Sequence, residues 1–281
     1  MKRNSFIKYF ALLLVFLFSV SAKTYGLTIS TSSSPSGGGT VSGGGTYNSG
    51  TVITLTATPA TGYRFYNWTE NGTTVPVSNP YVFTVTGNRS LVANFALIPC
   101  TISTSSSPSG GGTISGGGTY NSGTVITLTA TPATGYRFVN WTENGNNVPV
   151  SNPYVFTVTG SRSLVANFTL IPYTISTSSS PSSGGTISGG GTYNYGTVIT
   201  LTATPATGYR FYNWTENGTT VPVSNPYTFT VTGNRSLVAN FTLIPYTIST
   251  SSSPSGGGSV SGGGTYNYGT VDTLKATPAT G

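Results

Sequence analysis

The side chains able to do acid–base or nucleophilic chemistry are few in this 281-residue chain, and they are widely separated. There is no histidine, one cysteine and four acids, Glu70, Glu143, Glu216 and Asp272. Serines and threonines abound, but a hydroxyl needs an adjacent base to become a nucleophile. Paired-carboxylate hydrolysis needs two acids within about 10 Å, whereas Glu70, Glu143 and Glu216 recur 73 residues apart. No group of acids, histidines and cysteines has the spacing of a zinc or calcium site. The stretch GGGTVSGGG (37–45) lacks the Gly-Lys-Ser/Thr that completes a phosphate loop. These residues point to no enzyme, no bound metal and no cofactor.

What recurs instead is aromatic. GYRFYNWTENG at 62–72 returns as GYRFVNWTENG at 135–145 and GYRFYNWTENG at 208–218. The candidate ligand-stacking residues are Tyr66, Trp68, Trp141, Tyr212 and Trp214. On a regular strand Tyr66 and Trp68 share a face with Arg64, opposite Tyr63 and Phe65. Two readings follow. An outward Tyr/Trp pair would stack on sugar rings; alternatively, a bulge near Asn67 turns Trp68 inward as the core anchor. Val139 in place of Tyr66 favours the second, because an apolar contact tolerates that change better than a sugar platform does. Asn67-Trp68-Thr69 and Asn71-Gly72-Thr73 fit the N-glycosylation pattern, as an Asn/Thr-rich composition produces by chance.

The elements that position these residues belong to a repeat. Trp68, Trp141 and Trp214 mark a period of 73 residues, and a fixed period of this length signals an array of like modules. Aligned on them, the modules are 27–99, 100–172 and 173–245, with a truncated fourth at 246–281. Repeats 1 and 2 differ at seven positions, 27/100, 41/114, 66/139, 73/146, 74/147, 88/161 and 96/169. TVITLTATP (51–59) alternates, with Ile53, Leu55 and Ala57 on one face. NPYVFTVTGN (79–88) and SLVANF (90–95) place Tyr81, Phe83 and Val85, then Leu91, Ala93 and Phe95, inward. Asn71-Gly72 is a hairpin turn signal. The Gly/Ser-rich segment 32–45 predicts a short edge strand at Thr40-Val41 between glycine turns. No stretch keeps a 3.6-residue period, so the expectation is an all-β module of five or six short strands with at most a trace of helix. The tandem arrangement is beads on a string, with Pro99, Pro172 and Pro245 restricting short joins. The fourth module lacks the GYRF…NW segment, carries Asp272 where Ile53 stands in the first, and is expected to be poorly ordered.

Residues 1–22 read as a secretory signal peptide. Lys2, Arg3 and Lys8 precede an apolar run, Tyr9 to Val20, and Val20-Ser21-Ala22 supplies a cleavage site. The run is too short to span a bilayer, which needs about 20 apolar residues, so no stable membrane insertion is expected after cleavage. Removing those three bases leaves eight Lys and Arg against four acids, a net of about +4. The remaining charges are isolated, and a nucleic-acid partner would need a basic stripe. Cys100 excludes an intrachain disulfide. It reads either as a small apolar residue at a strand start or as an exposed thiol able to pair two chains.

Taken together, the Gly-rich stretch, the T-L-T-A-x-P-x-x-G-Y-x-F-x-x-W block and the closing L-x-A-N-F resemble the divergent InlB B-repeat domain of bacterial surface proteins. The resemblance covers 27–245 and the first half of a fourth unit. It implies a secreted or cell-surface location and a small β module related to the β-grasp architecture. It also implies use as a spacer or adhesive stalk, with a host or cell-surface protein or a glycan as partner. The acids common after the tryptophan in that family are reduced here to Glu70, Glu143 or Glu216 alone. A carbohydrate-binding array and the accessory repeats of a secreted enzyme are the competing expectations.

Overall fold

The computed structural model describes residues 25–75, 78–148, 151–221 and 224–281; the signal-peptide segment lies outside them. In the first repeat the strands are β1 (Leu27–Ser34), β2 (Gly39–Ser42), β3 (Gly45–Tyr47), β4 (Val52–Pro59), β5 (Tyr63–Glu70), β6 (Thr73–Thr74), β7 (Tyr81–Thr84) and β8 (Arg89–Leu97). They form two sheets. One has five strands in the order β3-β1-β8-β5-β6, and the other has three, β2-β4-β7. The expected count of five or six is therefore low by two or three. The additions, such as β3 and β6, are two or three residues long, too short for alternation to reveal. β1 pairs with β3 on one side and β8 on the other.

β1 runs parallel to β8 at the centre of the larger sheet, with Thr31 beside Leu91. The first and last strands of the module are thus neighbours, and every other pairing is antiparallel. The two sheets face each other across one core. The larger sheet contributes Ile29, Trp68, Leu91, Ala93 and Phe95, and β4 contributes Ile53, Leu55 and Ala57. The alternation read from 51–59 and 90–95 is the one found. Repeats 2 and 3 repeat both sheets and build their own cores around Trp141 and Trp214. Helix is confined, among the described residues, to one short 3-10 turn at Ser182–Gly184.

The fourth repeat forms two separate ladders, Pro245–Ile248 with Gly264–Asn267 and Gly258–Ser261 with Lys275–Pro278. Its described residues contribute nothing to the buried hydrophobic set.

The chain divides into two compact units, 1–99 with 121–123, and 100–120 with 124–281. Within the second, the joins between repeats are tight. Strand Arg162–Leu170 closes repeat 2 and strand Pro172–Ser180 opens repeat 3, leaving only Ile171 between them. Ile171 donates its N–H to the Gly135 carbonyl at 2.8 Å, and its own carbonyl accepts the Tyr195 N–H at 2.9 Å. Gly135 has φ +81°, and a Cβ there would collide with the Tyr195 ring. Only glycine meets both demands. Ile244, Gly208 and Tyr268 repeat this arrangement at the next join.

Candidate interaction surface

The inward orientation of the tryptophan in the GYRFYNW block follows from one irregularity. β5 pairs with β8 in register from Tyr63 to Phe65, slips, and resumes at Asn67 opposite Asn94. Tyr66 is the extra residue of a β-bulge, which reverses the in/out alternation beyond it. Phe65 and Trp68, three residues apart, therefore both face the core, with ring centroids 5.6 Å apart. The same slip occurs in the next two repeats. Trp68, Trp141 and Trp214 are completely buried, which corrects the stacking assignment for these three. An indole sealed between two sheets cannot meet a sugar. Tyr66 and Tyr212 stand 61% exposed, and Val139, at the matching place, 43%. Of the five candidates, the bulge leaves only the two tyrosines at the surface.

Around Tyr66 the outer sheet face is polar and internally bonded. Asn94 donates through Nδ2 to Asn67 Oδ1 at 2.8 Å and to Thr69 Oγ1 at 3.0 Å, and Asn67 donates to Thr74 Oγ1 at 3.2 Å. Repeat 3 preserves these contacts; repeat 2 substitutes Asn147 for the threonine. Arg64 lies exposed two residues before Tyr66 on the same strand.

The lone carboxylate of each repeat sits elsewhere and is already committed. Arg89 reaches Glu70 through Nε, at 3.1 and 3.0 Å, and through Nη2 at 2.7 Å, while Nη1 donates to the Tyr81 hydroxyl at 3.2 Å. Its guanidinium also packs 4.5 Å from the centre of the Phe83 ring. The hydrogen bonds from Arg89 hold the Glu70 carboxyl below the usual carboxylate range, against an opposing effect of burial. The same contacts raise Arg89. Glu143 with Arg162 and Glu216 with Arg235 repeat the pair. An open hollow beside it is edged by Thr28, Ser30, Asn71 and Ser90. Glu70 is not poised as an acid or a base, because it is held ionised by a fixed cation. In the sequence Arg89 is one of the isolated charges; the pairing depends on the antiparallel register of β5 and β8, which sets Glu70 opposite Leu91.

Asn79 is a second residue that sequence reading passed over. Its side chain accepts the Ala57 N–H at 2.9 Å and donates to the Ala57 carbonyl at 2.7 Å. It thus acts as a one-residue strand partner for β4. Cys100 is 4% exposed and packs in the core of repeat 2, so the apolar reading of that position holds and the exposed-thiol reading does not. No group of three or more His, Cys, Asp or Glu occurs among the described residues. Among the same residues, no helix is long and apolar enough to cross a membrane.

Fold and surface together define a class: a tandem array of small two-sheet β modules whose charged residues are mostly engaged in structure. The family model of the divergent InlB B-repeat domain matches residues 29–99, 102–172, 175–245 and 248–281. The chain belongs to that family. No curated protein matches it. A solved structure described as the Bacillus anthracis TIE protein is 10% identical, over 76% of this chain and 49% of that one, with a TM-score of 0.35. The chain spans about half the length of that protein.

Proposed function

We propose that this chain is a non-catalytic repeat protein of the bacterial surface or exterior, whose modules act as spacers that hold an adhesive or partner segment away from its point of attachment. The observation that carries this reading is the join at Ile171. One residue separates consecutive strands, and both of its backbone groups are bonded, one to each neighbouring repeat. A spacer needs joins that transmit orientation, and repeat arrays gain stability from such nearest-neighbour contacts. A flexible Gly/Ser linker would lose direction at every join. The commitment of Glu143 and Glu216 to arginines supports the absence of catalysis.

Spin labels on exposed sites of repeats 2 and 3 test the proposal. A narrow distance distribution between them is expected. A broad one, of the kind a free linker produces, would reject the spacer role.

A further inference from the structure

Once the Glu–Arg pairs are formed, the charge remaining in each full repeat is a single arginine: Arg64, Arg137 or Arg210. Each is exposed on the outer face of the five-stranded sheet, and the only ion pairs among the described residues are those of Arg89, Arg162 and Arg235. In repeats 1 and 3 an exposed tyrosine follows two residues later on the same strand, at the position of the bulge. Next to it lies the Asn/Thr network, whose amides and hydroxyls hold one another in place.

We propose that this face of repeats 1 and 3 binds a polysaccharide bearing carboxylate groups, such as a uronic-acid polymer. Arg64 or Arg210 takes the carboxylate, and Tyr66 or Tyr212 packs against the apolar face of a sugar ring. Asn67, Asn94 and Thr69, or their counterparts, meet the hydroxyls. The charge selects an anionic partner, since guanidinium matches carboxylate in a two-point fork. Its sparseness argues against nucleic acid, which carries one charge per about 1.7 Å of duplex and is held by many cations. A membrane surface would call for a basic, amphipathic face, and this face has one cation set among amides and hydroxyls. Single contacts of this kind are weak, and two on one chain strengthen each other on a long polymer. Repeat 2 has Arg137 with Val139 in place of the tyrosine, and is therefore a built-in comparison.

Binding of the full chain to polygalacturonate, alginate and hyaluronan is measured by biolayer interferometry, with methyl-esterified polygalacturonate, duplex DNA and phosphatidylserine vesicles as comparisons. At least one acidic polysaccharide should bind, with the esterified polymer at least about tenfold weaker. R64A, R210A, Y66A and Y212A should each weaken binding about tenfold, as expected when one of two linked sites is lost, and R137A by less than about threefold. V139Y should strengthen it by completing a third site, a gain that misfolding cannot mimic. The proposal is overturned if none of the three acidic polymers binds, or if the esterified polymer binds equally. It also fails if DNA or vesicles bind as tightly, or if R137A costs as much as R64A.

Discussion

Arg89 and Glu70 meet through two guanidinium nitrogens, the closest approach being 2.7 Å between Nη2 and Oε2, with both side chains about one-fifth exposed. The Phe83 ring lies under the guanidinium at 4.5 Å. Between them these contacts tie β5, β7 and β8 together at one end of the module, and they use up the only acid it has.

Because the Glu70 carboxyl is held below its ordinary range by Arg89, the pair stabilises the fold fully above the unfolded glutamate pKa of about 4.3. That stability is lost as pH falls through the lower, folded pKa. Melting temperature should therefore drop on acidification below about pH 4.5. The triple variant E70Q/E143Q/E216Q should melt lower at pH 7, by about 1–3 kcal/mol per repeat for a lost charge-assisted bond, and flatten the acid limb. An unchanged acid limb in thermal scans from pH 2 to 7 would assign it to other groups.

Trp68 is fully buried, and its indole N–H has no acceptor among the described residues. W68A should cost about 3–5 kcal/mol through the cavity it leaves. In the full chain this should appear as an early unfolding step of repeat 1, with Trp141 and Trp214 fluorescence reporting the later one. W68F sacrifices ring volume but no protein hydrogen bond, and should cost clearly less. Denaturant titrations followed by fluorescence and circular dichroism distinguish the two.

Asn79 satisfies both backbone groups of Ala57. N79A leaves a donor and an acceptor on β4 without their partner, at a cost of about 1–3 kcal/mol. The sharper signature is local. Amide exchange at Ala57 should accelerate in N79A while exchange in repeats 2 and 3 stays as it was.

Tyr195 stands where repeat 2 has Ser122. Y195S keeps the backbone bond to Ile171 but removes the ring that covers Gly135. The distance distribution between labels in repeats 2 and 3 should broaden, with the core of each repeat melting as before. G135V should do more, since it adds backbone strain at φ +81° to a collision with Tyr195. If neither variant alters the distribution, the ring plays no part in the join.

Cys100 lies 4% exposed in the core of repeat 2. A thiol reagent should label it slowly in the native chain and rapidly once repeat 2 unfolds, and non-reducing electrophoresis should show no disulfide-linked dimer.

Much of this was legible in the residues. The 73-residue period shows as plain recurrence of Trp68, Trp141 and Trp214, while the alternation of Ile53, Leu55 and Ala57, the Asn71-Gly72 turn and the all-β character depend on patterns only a few residues long. Asn71 at φ +50° and Gly72 at φ +79° are the backbone such a turn requires. The inner faces of β4, β7 and β8, Leu91 to Phe95 included, are legible in the residues, because a half-buried strand announces its inner face by alternation; Ile29 and Trp68 complete the core.

The strand parity of the aromatics was not decidable that way. One extra residue between Phe65 and Asn67 sends Trp68 inward while Tyr66 stays outward; Val139 in place of Tyr66 favoured that arrangement, but only the register of β5 on β8 fixes it. The Glu70–Arg89 pair, the Asn79–Ala57 clasp and the parallel β1–β8 contact join positions 19, 22 and about 60 residues apart. Sequence alone determined the repeat unit, its all-β character and the apolar faces of its longer regular strands, since these follow from recurrence and near-neighbour periodicity. Which polar groups are consumed inside the module and which remain for a partner was decided only by tertiary register, because a pairing shift of one residue exchanges the two faces of a strand.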